Sequence, residues 1–238
     1  MMNYIKRILM IFTFFSLLGC GDSYEIKDGN VYYKKSFMIG GKAHLIKLYN
    51  ADVKTFTTIN GGSNDKIGDL YAKDNKQVYY EEKIITNADP KTFRVLGDLY
   101  SVDKANIYYK TKALKGNSKD FRLIGDYYAT DNELIYRQGE LLVVKDVKSF
   151  KLLNDGWAKD KTAFYIDGNP VVGADYETFE ILSSDYAKDK SKVYYISINT
   201  SEEIKDADAK TFKLTGKYNN IGKDKNSCYF FGKRTECK

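Results

Sequence analysis

The sequence is poor in the residues on which catalysis and metal binding usually depend. Of its 238 residues, one is histidine, three are cysteine and two are proline. His44 has no identifiable partner for acid–base chemistry, so a surface or structural role is expected for it. The scarcity of proline, with 21 tyrosines and 13 phenylalanines, argues against disorder, because aromatic side chains supply the burial that offsets backbone entropy. We expect a folded protein that is not an enzyme and holds no metal or other cofactor.

Charge of one sign is not concentrated along the chain. The formal net charge is +6, and lysine and aspartate alternate throughout. Nucleic-acid binding requires a basic stripe and electrostatic membrane binding a basic cluster, and the sequence shows neither. We therefore expect no nucleic-acid partner.

Only one long apolar run occurs, over residues 8–18, directly after Lys6 and Arg7. Eleven residues are too few to span a bilayer, which requires about 20. A basic segment followed by a short apolar one is typical of a secretory signal peptide, and a buried core helix is the alternative. The mature protein is therefore expected to be exported.

The apolar run ends in Leu-Leu-Gly-Cys, which resembles the lipobox of bacterial lipoproteins. The resemblance implies a signal peptide over residues 1–19, lipidation of Cys20 with acyl chains such as palmitate, and a tether over residues 20–23. Two or three acyl chains anchor a protein stably, whereas one binds marginally. Because Gly21 follows the cysteine, the outer membrane is the expected location in a bacterium with two membranes. A plain cleaved signal peptide is the alternative to lipidation.

Two cysteines, Cys228 and Cys237, remain once Cys20 is assigned to lipid. An even number of remaining cysteines in an oxidising compartment favours a disulfide over two reduced thiols. The segment between them is predicted as a β-hairpin with Gly232 and Lys233 as its two-residue turn. In that register Cys228 lies directly opposite Cys237 in a non-hydrogen-bonded pair, where Cα atoms are about 4.5 Å apart and a disulfide can form.

The chain contains an internal repeat, and this decides the fold prediction. A Tyr-Ala-Lys-Asp motif precedes a Val-Tyr-Tyr motif by three residues, and variants of both recur so that the aspartate returns every 28 or 29 residues. These key aspartates are Asp74, Asp103, Asp131, Asp160 and Asp189, followed after a longer step by Asp224. Asp28, which precedes another Val-Tyr-Tyr, is interpreted as the key aspartate of a divergent first copy.

A second motif, of the form Asp-x-Lys-Thr-Phe, lies between the key aspartates. Its copies begin at Asp52, Asp89, Asn117, Asp146, Asp175 and Asp208. Aspartate and asparagine are both good helix N-caps, and Pro90 stands where a helix tolerates proline best. We therefore predict a single capped helical turn that directs the phenylalanine inward.

The rest of each repeat has the pattern of short strands separated by polar turns, with no sustained 3.6-residue periodicity beyond the signal peptide. We predict an all-β fold, a tandem repeat of short β-hairpin units with single helical turns, stacked into an elongated array. The repeats occupy residues 67–238 and end in a capping hairpin, and residues 24–66 form a divergent N-terminal repeat region. A closed propeller-like ring is the alternative, although about 28 residues is short for a four-stranded blade.

The repeats resemble the DKNYY family of bacterial envelope proteins. The motif that gives the family its name appears here as Lys-Asp-Lys-Ser-Lys-Val-Tyr-Tyr at residues 188–195 and as Asp-Asn-Lys-Gln-Val-Tyr-Tyr at residues 74–80. The resemblance extends from about residue 24 to the end, and residues 37–66 depart from the period. It implies a repeat-built envelope protein and no particular reaction, since the family has no established activity.

The recurring aromatic residues are expected to pack between neighbouring repeats. The predicted core column is Tyr71, Tyr100, Tyr128, Trp157 and Tyr186. Adjacent residues of a strand point to opposite faces, so one tyrosine of each Val-Tyr-Tyr pair is a candidate for an exposed platform that binds a glycan or a peptide. These candidates are Tyr79, Tyr80, Tyr108, Tyr109, Tyr194 and Tyr195.

The key aspartates have two interpretations. An aspartate before a tight turn accepts hydrogen bonds from nearby backbone amides. Alternatively, calcium is bound together with Asp69, Asp98, Asp126 and Asp155, which lie five residues before key aspartates. The lysines beside the key aspartates favour the turn role.

The function expected from these features is that of a non-catalytic, membrane-anchored lipoprotein of the cell envelope with a binding or scaffold role. Its expected partners are the membrane, through the lipid anchor, and an envelope protein or glycan contacted along the β-repeat surface. An enzyme acting on envelope polymers and a structural spacer are the alternatives.

Overall fold

The computed structural model describes residues 22–36, 42–59, 70–125, 127–197, 200–216 and 221–237. The expected signal peptide and Cys20 lie outside the described residues, so cleavage and lipidation stay predictions. In the described ranges no helix has both the length and the apolar character needed to cross a membrane.

The described residues form seven small antiparallel sheets, numbered 1 to 7 along the chain. Sheet 1 has three strands and each other sheet has four, and strands consecutive in sequence are neighbours in every sheet. The strands of sheets 1 to 4 are β1 (Ser23–Lys27), β2 (Asn30–Lys35), β3 (His44–Lys47); β4 (Thr57–Thr58), β5 (Tyr71–Lys73), β6 (Val78–Tyr80), β7 (Lys83–Ile84); β8 (Arg94–Gly97), β9 (Tyr100–Val102), β10 (Ile107–Tyr109), β11 (Lys112–Leu114); and β12 (Arg122–Gly125), β13 (Tyr128–Thr130), β14 (Ile135–Arg137), β15 (Glu140–Leu141). Those of sheets 5 to 7 are β16 (Lys151–Leu152), β17 (Trp157–Lys159), β18 (Phe164–Ile166), β19 (Asn169–Pro170); β20 (Glu180–Ile181), β21 (Tyr186–Lys188), β22 (Val193–Ser197), β23 (Thr200–Glu203); and β24 (Lys213–Thr215), β25 (Ile221–Lys223), β26 (Cys228–Phe230), β27 (Lys233–Thr235).

Tight turns explain how four strands fit into a unit of 28 or 29 residues. The third and fourth strands of sheet 4 are joined by Gln138 and Gly139, whose φ values are +48° and +77°, and Asp167 and Gly168 do the same in sheet 5. Two residues with positive φ make the turn whose twist matches antiparallel strands. The tandem all-β prediction is confirmed, and a unit of 28 or 29 residues, expected to be short for four strands, holds four in sheets 2 to 7.

The core lies between consecutive sheets. We call the face that a sheet turns towards the next sheet its forward face. On sheet 2 this face presents Tyr71, Val78 and Tyr80, which form one apolar cluster with Phe93 and Tyr108 of sheet 3. Equivalent clusters occupy four of the other five junctions. At the junction of sheets 4 and 5, the ring of Phe150 contacts those of Tyr128 and Tyr165. Each sheet therefore buries its neighbour, as expected of a linear repeat protein.

The capped helical turn is confirmed in sheets 5 and 6. Val147–Ser149 and Tyr176–Thr178 each form a single 3₁₀ turn, and the side chain of the preceding aspartate accepts a hydrogen bond from the third residue of that turn. In sheet 3 the corresponding segment is a turn that leads to the buried Phe93.

Sheet 1 corrects the assignment of Asp28. Tyr24 pairs with Tyr33 across β1 and β2, as Tyr71 pairs with Tyr80 across β5 and β6. In sheet 2 the key aspartate, Asp74, lies three residues after Tyr71. In sheet 1 the residue three positions after Tyr24 is Lys27. Asp28 is a turn residue with φ +49°, so the first copy has lost its key aspartate.

The C-terminal hairpin contains the predicted disulfide but not the predicted register. Cys228 and Cys237 are bonded, with Cα atoms 5.2 Å apart. The turn is nevertheless Phe231 and Gly232, with φ values of +47° and +72°, and Cys228 pairs with Thr235. Cys237 lies after the end of β27, and its side chain forms the disulfide with Cys228.

Candidate functional site

The key aspartates are buried and saturated with hydrogen-bond donors. At Asp160, Oδ1 accepts the backbone N–H groups of Thr162 and Ala163 at 2.6 and 2.9 Å. Oδ2 accepts the hydroxyl of Tyr165 at 2.8 Å and the backbone N–H of Asp146 at 3.0 Å. One carboxylate thus fixes the tight turn that follows it, the aromatic strand and the capped turn that begins its own unit.

The same arrangement recurs through the array at Asp74, Asp103, Asp189 and Asp224. Asp131 differs in one contact, because Tyr136 donates its hydroxyl to the carbonyl of Lys115. The turn interpretation is confirmed by these contacts. N–H and O–H donors occupy the carboxylate oxygens, which is the environment of a satisfied anion and not of a calcium ligand.

Burial and hydrogen bonding act in opposite directions on these carboxyl groups. Desolvation alone would raise the pKa of Asp160, but the hydrogen bonds from Thr162, Asp146 and Tyr165 outweigh it and lower the pKa to about 2. Asp189 behaves in the same way, also with a pKa of about 2. Burial, and then the hydrogen bond to Asp160, raise the pKa of Tyr165 to about 12. Asp160 and Asp189 are therefore held ionised, and Tyr165 is held neutral.

The lysine after the key aspartate pairs with the capping aspartate of the same unit. Lys190 lies 2.7 Å from Asp175, and Lys225 lies 2.9 Å from Asp208. The hydrogen bond from Lys225 is the largest contribution that lowers the pKa of Asp208 to about 2. These contacts explain why an Asp-Lys pair and an Asp-x-Lys-Thr-Phe motif recur in step.

Tyrosine hydroxyls join consecutive sheets. Tyr71 of sheet 2 donates to the carbonyl of Leu99 in sheet 3 at 2.9 Å, and Tyr100 donates to the carbonyl of Tyr127 in sheet 4 at 3.2 Å. Phe93 lies between Tyr71 and Tyr108, with ring centroids 6.0 Å from each. The predicted core role of the aromatic column is confirmed, since all five members are at most 1% exposed.

The predicted platform of exposed tyrosines is wrong. Tyr79, Tyr108 and Tyr194 are buried and donate their hydroxyls to key aspartates. Of the second tyrosine in each pair, Tyr80 is buried, and Tyr109 and Tyr195 are half-buried.

The next sheet covers these second tyrosines. A Cβ atom added to Gly139 of sheet 4 would collide with the ring of Tyr109, and one added to Gly232 of sheet 7 would collide with the ring of Tyr195. Both faces of the aromatic strand are therefore used for packing, because a middle sheet of a stack has a neighbour on either side.

Exposed apolar residues lie instead beside the fourth strands of sheets 4 and 5. Val143 and Val172 occupy equivalent positions of the repeat and are 81% and 82% exposed. They line a groove of about 350 Å³ together with Lys145 and Tyr176. The 29-residue spacing of the two valines was the available signal, but nothing in the sequence distinguishes an exposed valine from a core valine.

No cluster of three or more histidine, cysteine, aspartate or glutamate side chains suited to a metal ion occurs in the described ranges. His44 is exposed in β3, opposite Lys35 of β2.

A family model described as the DKNYY family matches residues 4–112, 110–169, 157–202 and 169–233, which together cover more than half of the chain. No curated protein and no solved structure matches the chain.

Proposed function

The chain belongs to the DKNYY family, and we propose that it is a non-catalytic lipoprotein of the bacterial cell envelope, anchored through Cys20, that binds a protein partner along the side of its array. The binding surface is the groove between Val143 and Val172. Its occupant is an extended segment of the partner that carries apolar side chains next to an acidic residue.

The observation that carries this proposal is the exposure of Val143 and Val172 at 81% and 82%. The recurring aspartates, tyrosines and phenylalanines are engaged in packing, whereas these two valines face solvent and line the same groove. Apolar residues around a groove are a common feature of protein-binding surfaces.

The charge around the groove supports an acidic element in the partner. Lys145 lines the groove. The Nζ atom of Lys159 lies 5.4 and 5.9 Å from the ring centroids of Phe164 and Tyr176, which both line it. An apolar segment with a neighbouring carboxylate would contact both features.

The anchor is tested by replacing Cys20 with alanine. We expect wild-type protein to be labelled by a palmitate analogue and to remain in the membrane fraction, and the variant to lose both properties. A variant that stays labelled and membrane-bound would overturn the anchor.

The binding surface is tested by photo-crosslinking in intact cells. A photoreactive residue at position 172 should capture one discrete partner, and Val143→Asp should reduce this capture at least tenfold. A photoreactive residue at Lys119, an exposed position in the capped turn of sheet 4, is the control. Equal capture from both positions, or no capture at position 172, would overturn the groove and leave the array as a spacer.

A further inference from the structure

Among the sheets of the described residues, none covers the forward face of sheet 7. In sheet 2 the forward-face residues Tyr71, Val78, Tyr80 and Ile85 are all buried against sheet 3. The corresponding residues of sheet 7 are Ile221, Cys228, Phe230 and Thr235, as the strand pairing shows. We call these four residues, with the lysines described next, the terminal face.

Aromatic surface is exposed at this end of the array. Phe230 is 43% exposed and the adjacent Phe231 is 60% exposed, with ring centroids 4.2 Å apart. The position of Phe230 holds Tyr80 in sheet 2, which is 7% exposed. Ile221 replaces the column tyrosine, so this position of sheet 7 has no hydroxyl to donate.

Three lysines share the terminal face with Phe230. One cross-strand row runs Lys213, Lys223, Cys228, and the next runs Ile221, Phe230, Lys233. Paired residues of an antiparallel sheet, and residues two apart on one strand, point to the same side. All three lysines are exposed.

Among the residues that the structure describes, these lysines lack the carboxylate partner that one counterpart, Lys188 of sheet 6, has. In sheet 6, Lys188 occupies the position of Lys223, lies 3.7 Å from Glu180 and donates to the carbonyl of Phe212 in sheet 7. In sheet 7 the residue opposite Lys223 is Lys213, and like charges directly opposite one another are unfavourable. Within the described part of the chain no ion pair joins Lys213, Lys223 or Lys233 to a carboxylate.

We propose that the terminal face binds the surface of an anionic phospholipid bilayer. Phe230 and Phe231 insert among the headgroups, where aromatic rings are favoured, and the three lysines contact lipid phosphates while their alkyl stems lie along apolar surface. A second copy of the chain fits less well, because two terminal faces would oppose lysine to lysine. With the proposed anchor at Cys20, before sheet 1, the protein would contact membrane at both ends of its array.

The test uses full-length protein reconstituted in phosphatidylcholine vesicles. Flotation of these vesicles first reports the anchor and its dependence on Cys20. Fluorescent vesicles of 30% phosphatidylglycerol in phosphatidylcholine are then added, and their capture reports the terminal face. Protein that does not float is tested directly for flotation with the phosphatidylglycerol vesicles, so failure of the anchor and failure of the terminal face are distinguished.

We expect capture of phosphatidylglycerol vesicles at least tenfold above capture of pure phosphatidylcholine vesicles, with a decrease at high salt. Phe230→Ser with Phe231→Ser, and separately Lys213→Glu with Lys223→Glu and Lys233→Glu, should each reduce capture at least tenfold. Circular dichroism and the thermal midpoint confirm that each variant is folded.

Two matched controls should capture as the wild type does. Tyr49→Ser with Tyr127→Ser removes two aromatic rings that are 84% and 48% exposed elsewhere. Lys91→Glu with Lys119→Glu and Lys148→Glu makes the same change in net charge at exposed capped turns.

Three results would overturn the proposal. They are equal capture of both vesicle types, equal loss in a control and its matched variant, and full capture by a folded phenylalanine variant. Binding of polyglutamate without vesicle capture would indicate an acidic protein instead. Concentration-dependent dimerisation that Phe230→Ser with Phe231→Ser abolishes, again without capture, would indicate a second copy.

Discussion

The hydroxyl of Tyr165 donates a 2.8 Å hydrogen bond to Oδ2 of Asp160, the residue five positions earlier. The bond joins the aromatic strand β18 to the turn before it, and both partners are buried. Its equivalents occur in sheets 2, 3, 6 and 7.

Replacing Asp160 with asparagine should destabilise the protein by about 3 kcal/mol, because an amide nitrogen would then face N–H and O–H donors in a buried site. The free energy of unfolding in urea measures this. Asp155→Asn is the control, since Asp155 is exposed and has φ +57°, a conformation that asparagine tolerates. Its effect should stay within about 0.5 kcal/mol. Equal stability of the two variants would contradict the structural role of Asp160.

Acid should unfold the array over a defined range. Carboxyl groups whose pKa is lower in the folded state contribute stability above their unfolded pKa of about 3.9, and this is lost as the pH falls through the folded value. For Asp160 and Asp189 that value is about 2. The thermal midpoint should therefore change little from pH 7 to about 5 and fall between about pH 4 and 2. The double variant Asp160→Asn with Asp189→Asn should show a shallower fall, and an unchanged slope would refute this explanation.

Two glycines with similar backbone conformation should respond differently to alanine. Gly29 has φ +71° with no atom within 4 Å of an added Cβ, and Gly139 has φ +77° with the ring of Tyr109 in the way. Gly29→Ala should cost about 1 kcal/mol through its backbone alone. Gly139→Ala should cost a further 1–3 kcal/mol or so, because the contact between sheets 3 and 4 must open. Urea unfolding compares them, and equal costs would mean that the sheets do not meet as described.

Reducing the disulfide should loosen the end of the array first. In the chain-entropy model a loop this short contributes about 2.5 kcal/mol. Because Cys228 and Cys237 both belong to the sheet 7 segment, we expect its amides to lose protection from hydrogen exchange while those of sheets 2 to 5 keep theirs. Mass spectrometry should show a gain of two hydrogens. Cys228→Ser with Cys237→Ser should match reduced wild type, and uniform loss of protection in all sheets would contradict a local role.

The sequence allowed the array to be predicted because every unit solves the same packing problem with the same residues. The period of the key aspartates and the Asp-x-Lys-Thr-Phe motif give the unit and its capped turn directly. The carboxylate that accepts from Thr162 and Ala163 follows from the known behaviour of aspartate before a turn.

The wrong predictions for the paired tyrosines and for the last turn have one physical cause. The alternation of side chains along a segment predicts a strand, but it does not predict which residues of neighbouring sheets cover that strand. Alternation predicts opposite faces for Tyr108 and Tyr109, and it contains no information about a glycine of the next sheet lying against Tyr109. In the last hairpin, Gly232 and Lys233 are suited to a two-residue turn, but Phe231 and Gly232 form it. Gly232 lies against the ring of Tyr195 in sheet 6, a contact that the sequence does not reveal.

The terminal face was not predicted for a related reason. Lys213, Lys223 and Lys233 are ten residues apart in sequence, so they form no contiguous basic run. Strand register alone brings them to one side of sheet 7.

Each key aspartate makes its hydrogen bonds within its own unit, and the contacts that cross to the next unit come from other residues, such as the column tyrosines and Lys188. A gene duplication or deletion of one unit would consequently leave every key aspartate with its full set of donors. The molecule would then lengthen or shorten in increments of about 10 Å, the usual spacing of stacked sheets. Chains with more or fewer units would therefore differ in length and keep the same first and last sheets.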